Sequence, residues 1–300
     1  MTLPIERITT VLAAAASYDL TDLETVKDEL SIGDSNTSDD SWLTRAIGQV
    51  SRAIERHCNR RFVPEQLQDL FQFGRDPFPG ARFGGEDEIA LARWPLLSVG
   101  SVSQSLPNGV TKTLVAGTDF LADLAKGRLL RLRSDGRIQR WEAFPLSVQY
   151  TAGYGALVQE NDAVPSAAPY TVAVSQASAF SCDQSVAYAS GTALARVAAN
   201  PAQGQYSVAG GIYTFNAADE GQALAFAYAT AAVPDDLVEI CLRLITARYS
   251  AKDRDPNLIQ QDTPGVGTQR WWFGGAPGQK GAFPPDIEAA LEDYRPAKVA

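Results

Sequence analysis

The sequence predicts an α+β protein with a helical core, a small antiparallel β region and an inserted β-sandwich. Three observations lead there. Val233 to Tyr249, VPDDLVEICLRLITARY, has a helical pattern that is apolar on nearly every side, wider than the single stripe a surface helix buries. Between Phe62 and Gly153 the apolar period changes to two, the spacing of half-buried strands. After Tyr154 the composition changes again: lysine is absent through Val233, Arg196 is the sole basic residue, and alanine alternates with apolar and aromatic residues.

Taken in order, residues 1–20 read as an N-terminal arm. Val11 to Ala16 is apolar and follows Arg7, but it is short, Ala-rich and has Glu6 beside the arginine, which does not fit a secretory signal. Thr21 begins a capping box with Glu24, and Leu23, Val26, Lys27 and Leu30 continue a short amphipathic helix ending near Gly33. A polar loop, Asp34 to Ser38, precedes a second helix from Asp39 to about Arg60. That helix carries Leu43, Ile47, Val50, Ile54 and Cys58 on one face and should be about 33 Å long at roughly 1.5 Å per residue. Charge is polarised along this region. Asp19 to Asp40 holds eight acids and one lysine, whereas Arg45 to Arg61 holds five arginines and one glutamate. Complementation of helix dipoles and a solvated face account for most of these charges.

Strands are predicted at 88–92, 98–103, 112–115, 119–122, 129–132 and 146–150, punctuated by Pro107-Asn108-Gly109 and similar turn chemistry. The inserted segment, 154–233, offers strands at 170–174, 193–197, 205–208, 212–215 and 223–228, with Gly210-Gly211 as a hairpin turn. Pro234, Asp235 and Asp236 then start the two-sided helix, since proline presets φ and carboxylates favour the positive end of the dipole. In it Glu239 and Arg243 stand at pairing distance on a narrow polar stripe. A Gly/Pro-rich interaction loop, 255–284, and a last helix, Pro285 to Tyr294, follow. The host domain is thus 21–153 with 234–296, interrupted by 154–233.

The formal charge is -9, from 26 basic and 35 acidic residues, and the pI is near 4.7. That balance argues against gripping nucleic acid through phosphates, which needs a basic face. It is compatible with acidic walls past which DNA slides without sticking. Cys58, Cys182 and Cys241 lie far apart with no CxxC pair, so neither a disulfide framework nor a zinc site is expected. No segment reaches the roughly 20 apolar residues needed to span a bilayer.

Candidate chemistry is sparse. His57 is the one histidine, at a helix end among arginines, where the dipole explains it better than general-base work. Without a second histidine, nucleophile triads lack their usual base. Gly274 to Gly281, GGAPGQKG, lacks the glycine before lysine and the Ser/Thr after it that a phosphate loop requires. Asp39-Asp40 and Asp235-Asp236 sit at helix starts, where capping accounts for them. No enzyme activity, cofactor or metal is expected. By contrast Arg270-Trp271-Trp272-Phe273 places three large aromatics in a Gly-rich stretch, which is costly to expose. They either fold back on their own core or dock on a neighbour, where Trp and Arg are favoured anchors.

In order along the chain, several motifs resemble the head-tail connector family of tailed bacteriophages, also called adaptor or head-completion proteins. Leu23 to Leu30, Asp39-Asp40 with Leu43 and Ile47, Ala53-Ile54-Glu55 and Arg60-Arg61-Phe62 are similar to its opening helical pair. Leu91-Ala92-Arg93-Trp94-Pro95-Leu96-Leu97-Ser98-Val99 resembles its strand-proline-strand segment. Asp119-Phe120, Gly127-Arg128-Leu129 and Val148-Gln149-Tyr150-Thr151-Ala152-Gly153-Tyr154 follow. The two-sided helix, Arg254-Asp255-Pro256, Gly265-Val266-Gly267 and Pro285 to Leu291 complete the series. The departure is 154–233, a short link in the family, where Gly204 to Tyr228 instead resembles immunoglobulin-like modules that decorate phage structural proteins.

The resemblance implies a helical connector core and a homo-oligomeric ring of about twelve copies in cyclic symmetry. It implies a place in the virion neck, after synthesis in the host cytoplasm. The partners would be the portal protein above, a neck or tail-completion protein below and phage DNA passing non-specifically, with no membrane. Subunit or portal contacts would fall on Arg270, Trp271, Trp272 and Phe273 and on Leu237, Cys241, Leu244 and Tyr249 of the two-sided helix. Competing readings are a neck or tail-tube protein, an enzyme, and a surface or carbohydrate-binding module in which Tyr170, Tyr188, Tyr206 and Tyr213 stack on sugars.

Overall fold

The computed structural model describes residues 5–73, 88–106, 109–142, 144–252, 260–263, 267–270 and 283–295. Among them eighteen strands stand against four α-helices. The expected helical core is therefore corrected: most of the fold is β-sheet. The chain divides into two compact units, 1–17 with 63–232 and 18–62 with 233–300. Helical periodicity marked the longest single segments, but the larger core belongs to many short strands.

The first part of the larger unit comprises β1 (Ile5–Ala13), β2 (Glu65–Phe73), β3 (Glu88–Ala90), β4 (Leu96–Ser105), β5 (Thr111–Leu114), β6 (Phe120–Asp123), β7 (Arg128–Leu132), β8 (Ile138–Gln139) and β9 (Leu146–Ala152). A five-stranded antiparallel sheet runs β1-β2-β9-β4-β5, and a second sheet runs β3-β7-β6 with β8 on β7. Leu67, Phe71, Val102, Leu129, Trp141, Val148 and Tyr150 share one buried cluster between them. Each such side chain withdrawn from water contributes about 1.5–3 kcal/mol. Trp141 satisfies its indole by donating to the Leu129 carbonyl at 3.1 Å. Asp69, wholly buried, accepts on Oδ2 from the Tyr150 hydroxyl at 3.0 Å and the Ala92 amide at 2.7 Å, which offsets part of the cost of its burial.

The N-terminal segment read as an arm contains β1, paired with β2 apart from a bulge at Leu12. Neither strand shows a clean period-two apolar pattern. β1 is exposed on residues 6–12, and β2 places Glu65 and Asp69 among its buried residues, which breaks the apolar alternation.

Downstream, β10 (Gly155–Ala163), β11 (Thr171–Ala173), β12 (Phe180–Tyr188), β13 (Ala195–Arg196), β14 (Gln205–Ala209), β15 (Ile212–Phe215) and β16 (Ala223–Ala231) form two further sheets. Their orders are β10-β16-β12 and β11-β15-β14-β13. Val172, Val186, Tyr206, Tyr213, Phe215, Leu224, Phe226 and Tyr228 make their common core. The hairpin between β14 and β15 turns on Gly210 and Gly211, with φ of 54° and 78°, the primed-turn geometry that glycine allows. The stretch opens and closes side by side, Gly155 pairing with Ala231.

The smaller unit holds α1 (Leu23–Glu29), α2 (Asp40–Cys58), α3 (Asp235–Ser250), the hairpin β17 (Gln260–Thr263) and β18 (Gly267–Arg270), and α4 (Pro285–Glu292). The cap of α1 is Asp22, whose side chain accepts from the Thr25 amide at 2.8 Å, one residue beyond the predicted Thr21. α2 buries the expected stripe Leu43, Ile47, Val50, Ile54 and Cys58 and ends at Asn59 in the left-handed region, φ 49°. α3 packs on α1 and α2, and α4 on α2.

Two glycines join β9 to β10. Gly153 has φ of 142°, and a Cβ there would lie 2.5 Å from Pro64 backbone atoms; at Gly155 it would lie 1.8 Å from the Thr230 carbonyl oxygen. Gly155→Ala should cost about 3 kcal/mol or more, in the range reserved for backbone clashes, and should lower the denaturation midpoint strongly. Gly33→Ala, with nothing within 4 Å of its Cβ, should leave it nearly unchanged.

Candidate interaction surfaces

α3 was expected to be two-sided, and the structure sorts its residues by depth. Leu237, Ile240, Cys241 and Ile245 are buried. Leu237 and Cys241 are wholly enclosed, while Val238, Leu242, Leu244 and Tyr249 keep part of their surface. Tyr249 meets Trp42 edge-on at 5.7 Å and donates its hydroxyl to Asp39 at 2.7 Å. Arg243 does not pair with Glu239; its guanidinium reaches Asp286 on α4 at 2.6 Å and holds that carboxyl below the usual range. The accessible apolar margin of α3 is therefore Val238, Leu242 and Leu244. Arg270 ends β18. Trp271, Trp272 and Phe273, together with most of 255–284, lie outside the described residues.

The acids assigned to capping mostly tie helices together. Asp39 makes no side-chain cap; it receives Lys252 and the Tyr249 hydroxyl, which hold its carboxyl below the ordinary value. Asp40 pairs with the buried Lys27 ammonium at 3.2 Å. Asp236 accepts the Tyr294 hydroxyl at 2.7 and 2.6 Å. His57 meets Phe283 edge-on at 5.3 Å. Burial pushes the thiols up, Cys58 to about 11 and Cys182 and Cys241 to about 12, the reverse of an activated nucleophile. Among the described residues no group of His, Cys, Asp and Glu is placed to hold a metal ion, and no helix is long and apolar enough to cross a membrane.

Of the four tyrosines considered for sugar stacking, Tyr206 and Tyr213 are core residues. Both donate to the buried Asp183, at 2.7 and 2.9 Å. Burial raises the Asp183 carboxyl above its ordinary value, against the lowering effect of those hydroxyls. Tyr188 borders an open cleft of about 540 Å³ with Ser190, Gln203, Gly204, Asp219 and Gln222. Its hydroxyl donates to Asp219 at 2.5 Å, and burial followed by that carboxylate pushes it up to about 12.

The edges of the five-stranded sheet carry no signal in the apolar pattern. Ile8, Val11 and Leu12 are exposed on β1, and Val110 and Val115 flank β5, all 41 to 58 % accessible. Reading residues 1–20 as an arm hid the first group; the second follows a turn whose Pro107 and Asn108 lie outside the described residues.

No family model matches the chain, and no curated protein matches it. Among solved structures it is similar to a chain in the neck of an empty GTA particle computed with C6 symmetry, at 14% identity and TM-score 0.41, covering 99% of this chain and 98% of that one. It is also similar to a chain in the virion of a native gene transfer agent (GTA) particle, at 13% identity and TM-score 0.39, covering 99% and 97%. A third likeness is to the neck of the native GTA particle computed with C12 symmetry, at 14% identity and TM-score 0.39, covering 99% and 98%.

Asp183 supplies a pH prediction. Its folded pKa lies above the unfolded value of about 3.9, so its contribution to stability is full below that pH and is lost as pH rises through the folded pKa. Asp183→Asn should flatten this decline in denaturation midpoints measured across a pH series; an unchanged slope would assign it to other groups.

Proposed function

We propose that the chain is a structural protein of the neck of a tailed phage or phage-like particle. In this reading about twelve copies close into a ring beneath the portal. The ring joins capsid to tail, and DNA passes through without sequence recognition. The observation that carries the reading is where the family-like motifs of the larger unit fall in space. A Cβ at Gly127, φ 64°, would lie 2.8 Å from the Trp94 side chain of the strand-proline-strand segment, and Gly153 abuts Pro64. Two glycines of these motifs thus sit at close backbone approaches, as glycines of fold-defining motifs should.

The role is non-catalytic in this account. The acidic balance suits a wall that does not hold DNA, and the inserted sheets form an immunoglobulin-like module decorating the neck. A second reading, saccharide binding by that module, has one observation in its favour, the polar cleft beside Tyr188; a glycan array with the full chain tests it.

Electron microscopy of the protein mixed with its own portal tests the main reading. A ring stacked on the portal is expected, and a folded chain that forms no complex with the portal would refute it. Replacing both Trp271 and Trp272 with alanine should weaken ring or portal binding while leaving the thermal midpoint of the free chain unchanged; normal assembly of that variant would remove the aromatic clasp.

A further inference from the structure

Among the described residues, two edges of one sheet stand open. β1 and β5 are the ends of the order β1-β2-β9-β4-β5, and each hydrogen-bonds to one neighbour in the sheet. Natural edges are usually protected by charge, proline or a covering element. Here the protection is thin. β1 has no proline, and its charges, Glu6 and Arg7, sit at one end, with the Arg7 guanidinium turned to the Ala90 carbonyl at 3.0 Å. β5 has one charge, Lys112, which is drawn to Asp119 at 3.4 Å. Of the ten large hydrophobic side chains exposed among the described residues, five lie on or beside these two strands.

We propose that successive copies join edge to edge, the outer edge of β1 in one copy pairing in parallel with the outer edge of β5 in the next. The proposal rests on the ring reading and names the contact that would close it. Direction supports it. Four antiparallel steps separate β1 from β5, so the two strands run the same way, and a sheet continued by rotation brings them together in parallel. Facing supports it as well. Val11 stands opposite Leu67 in β2, and Leu114 opposite Val102 in β4, both members of the buried cluster.

With Val11 beside Leu114, the register places Thr10 beside Thr113 and Ile8 beside Thr111, up to the bulge at Leu12. The apolar residues then meet apolar or β-branched partners, the pairs that stabilise sheets. Because one edge meets a different edge, the contact is heterologous and propagates from copy to copy until it closes. A second copy is thus the occupant that the chain's own edges specify.

Thr10→Cys combined with Thr113→Cys tests this. Within one chain three strands separate the positions, about 19 Å at strand spacing, whereas a disulfide needs Cα atoms within about 7 Å. The native cysteines are buried and do not compete, and both threonines are exposed, so folding should be retained, as circular dichroism will check. Oxidised in the presence of the portal, the double variant should give a reducible ladder extending past dimer, and each single variant should give none. Efficient dimers from Thr10→Cys alone would mean that like edges meet, and would overturn the proposal. Rings visible by microscopy without a ladder would overturn the edge contact and leave the ring standing; a folded chain with neither ring nor ladder would overturn both.

Discussion

The structure turns on the short passage from β9 to β10, where two closely spaced glycines let the backbone press against Pro64 on one side and Thr230 on the other. β9 is the middle strand of its sheet, bonded to β2 and β4, and nearly all its residues are buried or half-buried. Whatever fixes β9 therefore fixes the start of β10. β10 is in turn held to β16 over its whole length. No side chain fits at these crossings, so backbone contact, rather than a hydrophobic linker, carries the larger unit from its first pair of sheets to its second.

Inside both pairs the same polar device recurs. A carboxylate is buried and tyrosine hydroxyls are aimed at it: Tyr150 at Asp69, Tyr206 and Tyr213 at Asp183, and Tyr188 at Asp219. Each carboxylate is costly to remove from water, and the hydroxyls offset part of that cost by donating to it; Asp69 takes both of its bonds on Oδ2 and leaves Oδ1 without a partner. Slipping a strand by one residue would turn the tyrosine to the opposite face and strand the acid. Register is thereby tied to a few polar pairs, while the surrounding aromatics fill space. Among the described residues, the sheet edges expose five of the ten large exposed apolar side chains, and α3 keeps a partly accessible apolar margin.

Much of this was legible in the sequence. Strands with clean alternation, such as β4, β7, β9, β15 and β16, fall where the period-two pattern places them, and α1 to α4 fall where caps and helical spacing place them. Illegible strands had a physical reason to be so. β2 buries Glu65 and Asp69, β12 carries Asp183 and two register shifts, and β10 is largely exposed, so none shows an apolar stripe. The emphasis on helices failed for a related reason: a long helix announces itself in one segment, whereas a sheet core is shared among many short ones. For the candidate surface, the apolar width of α3 was visible, but Leu237 and Cys241 on it are wholly buried. The open edges of β1 and β5 could not be seen without the pairing order.

The central claim is that this chain works as one of many identical copies around a passage. A cryo-electron reconstruction of the neck of the intact particle tests it most directly. The account predicts a closed cyclic ring of this chain between capsid and tail, with each copy beside the next and the channel open along the axis. A neck that lacks the chain, or holds it as isolated copies outside any ring, would contradict it.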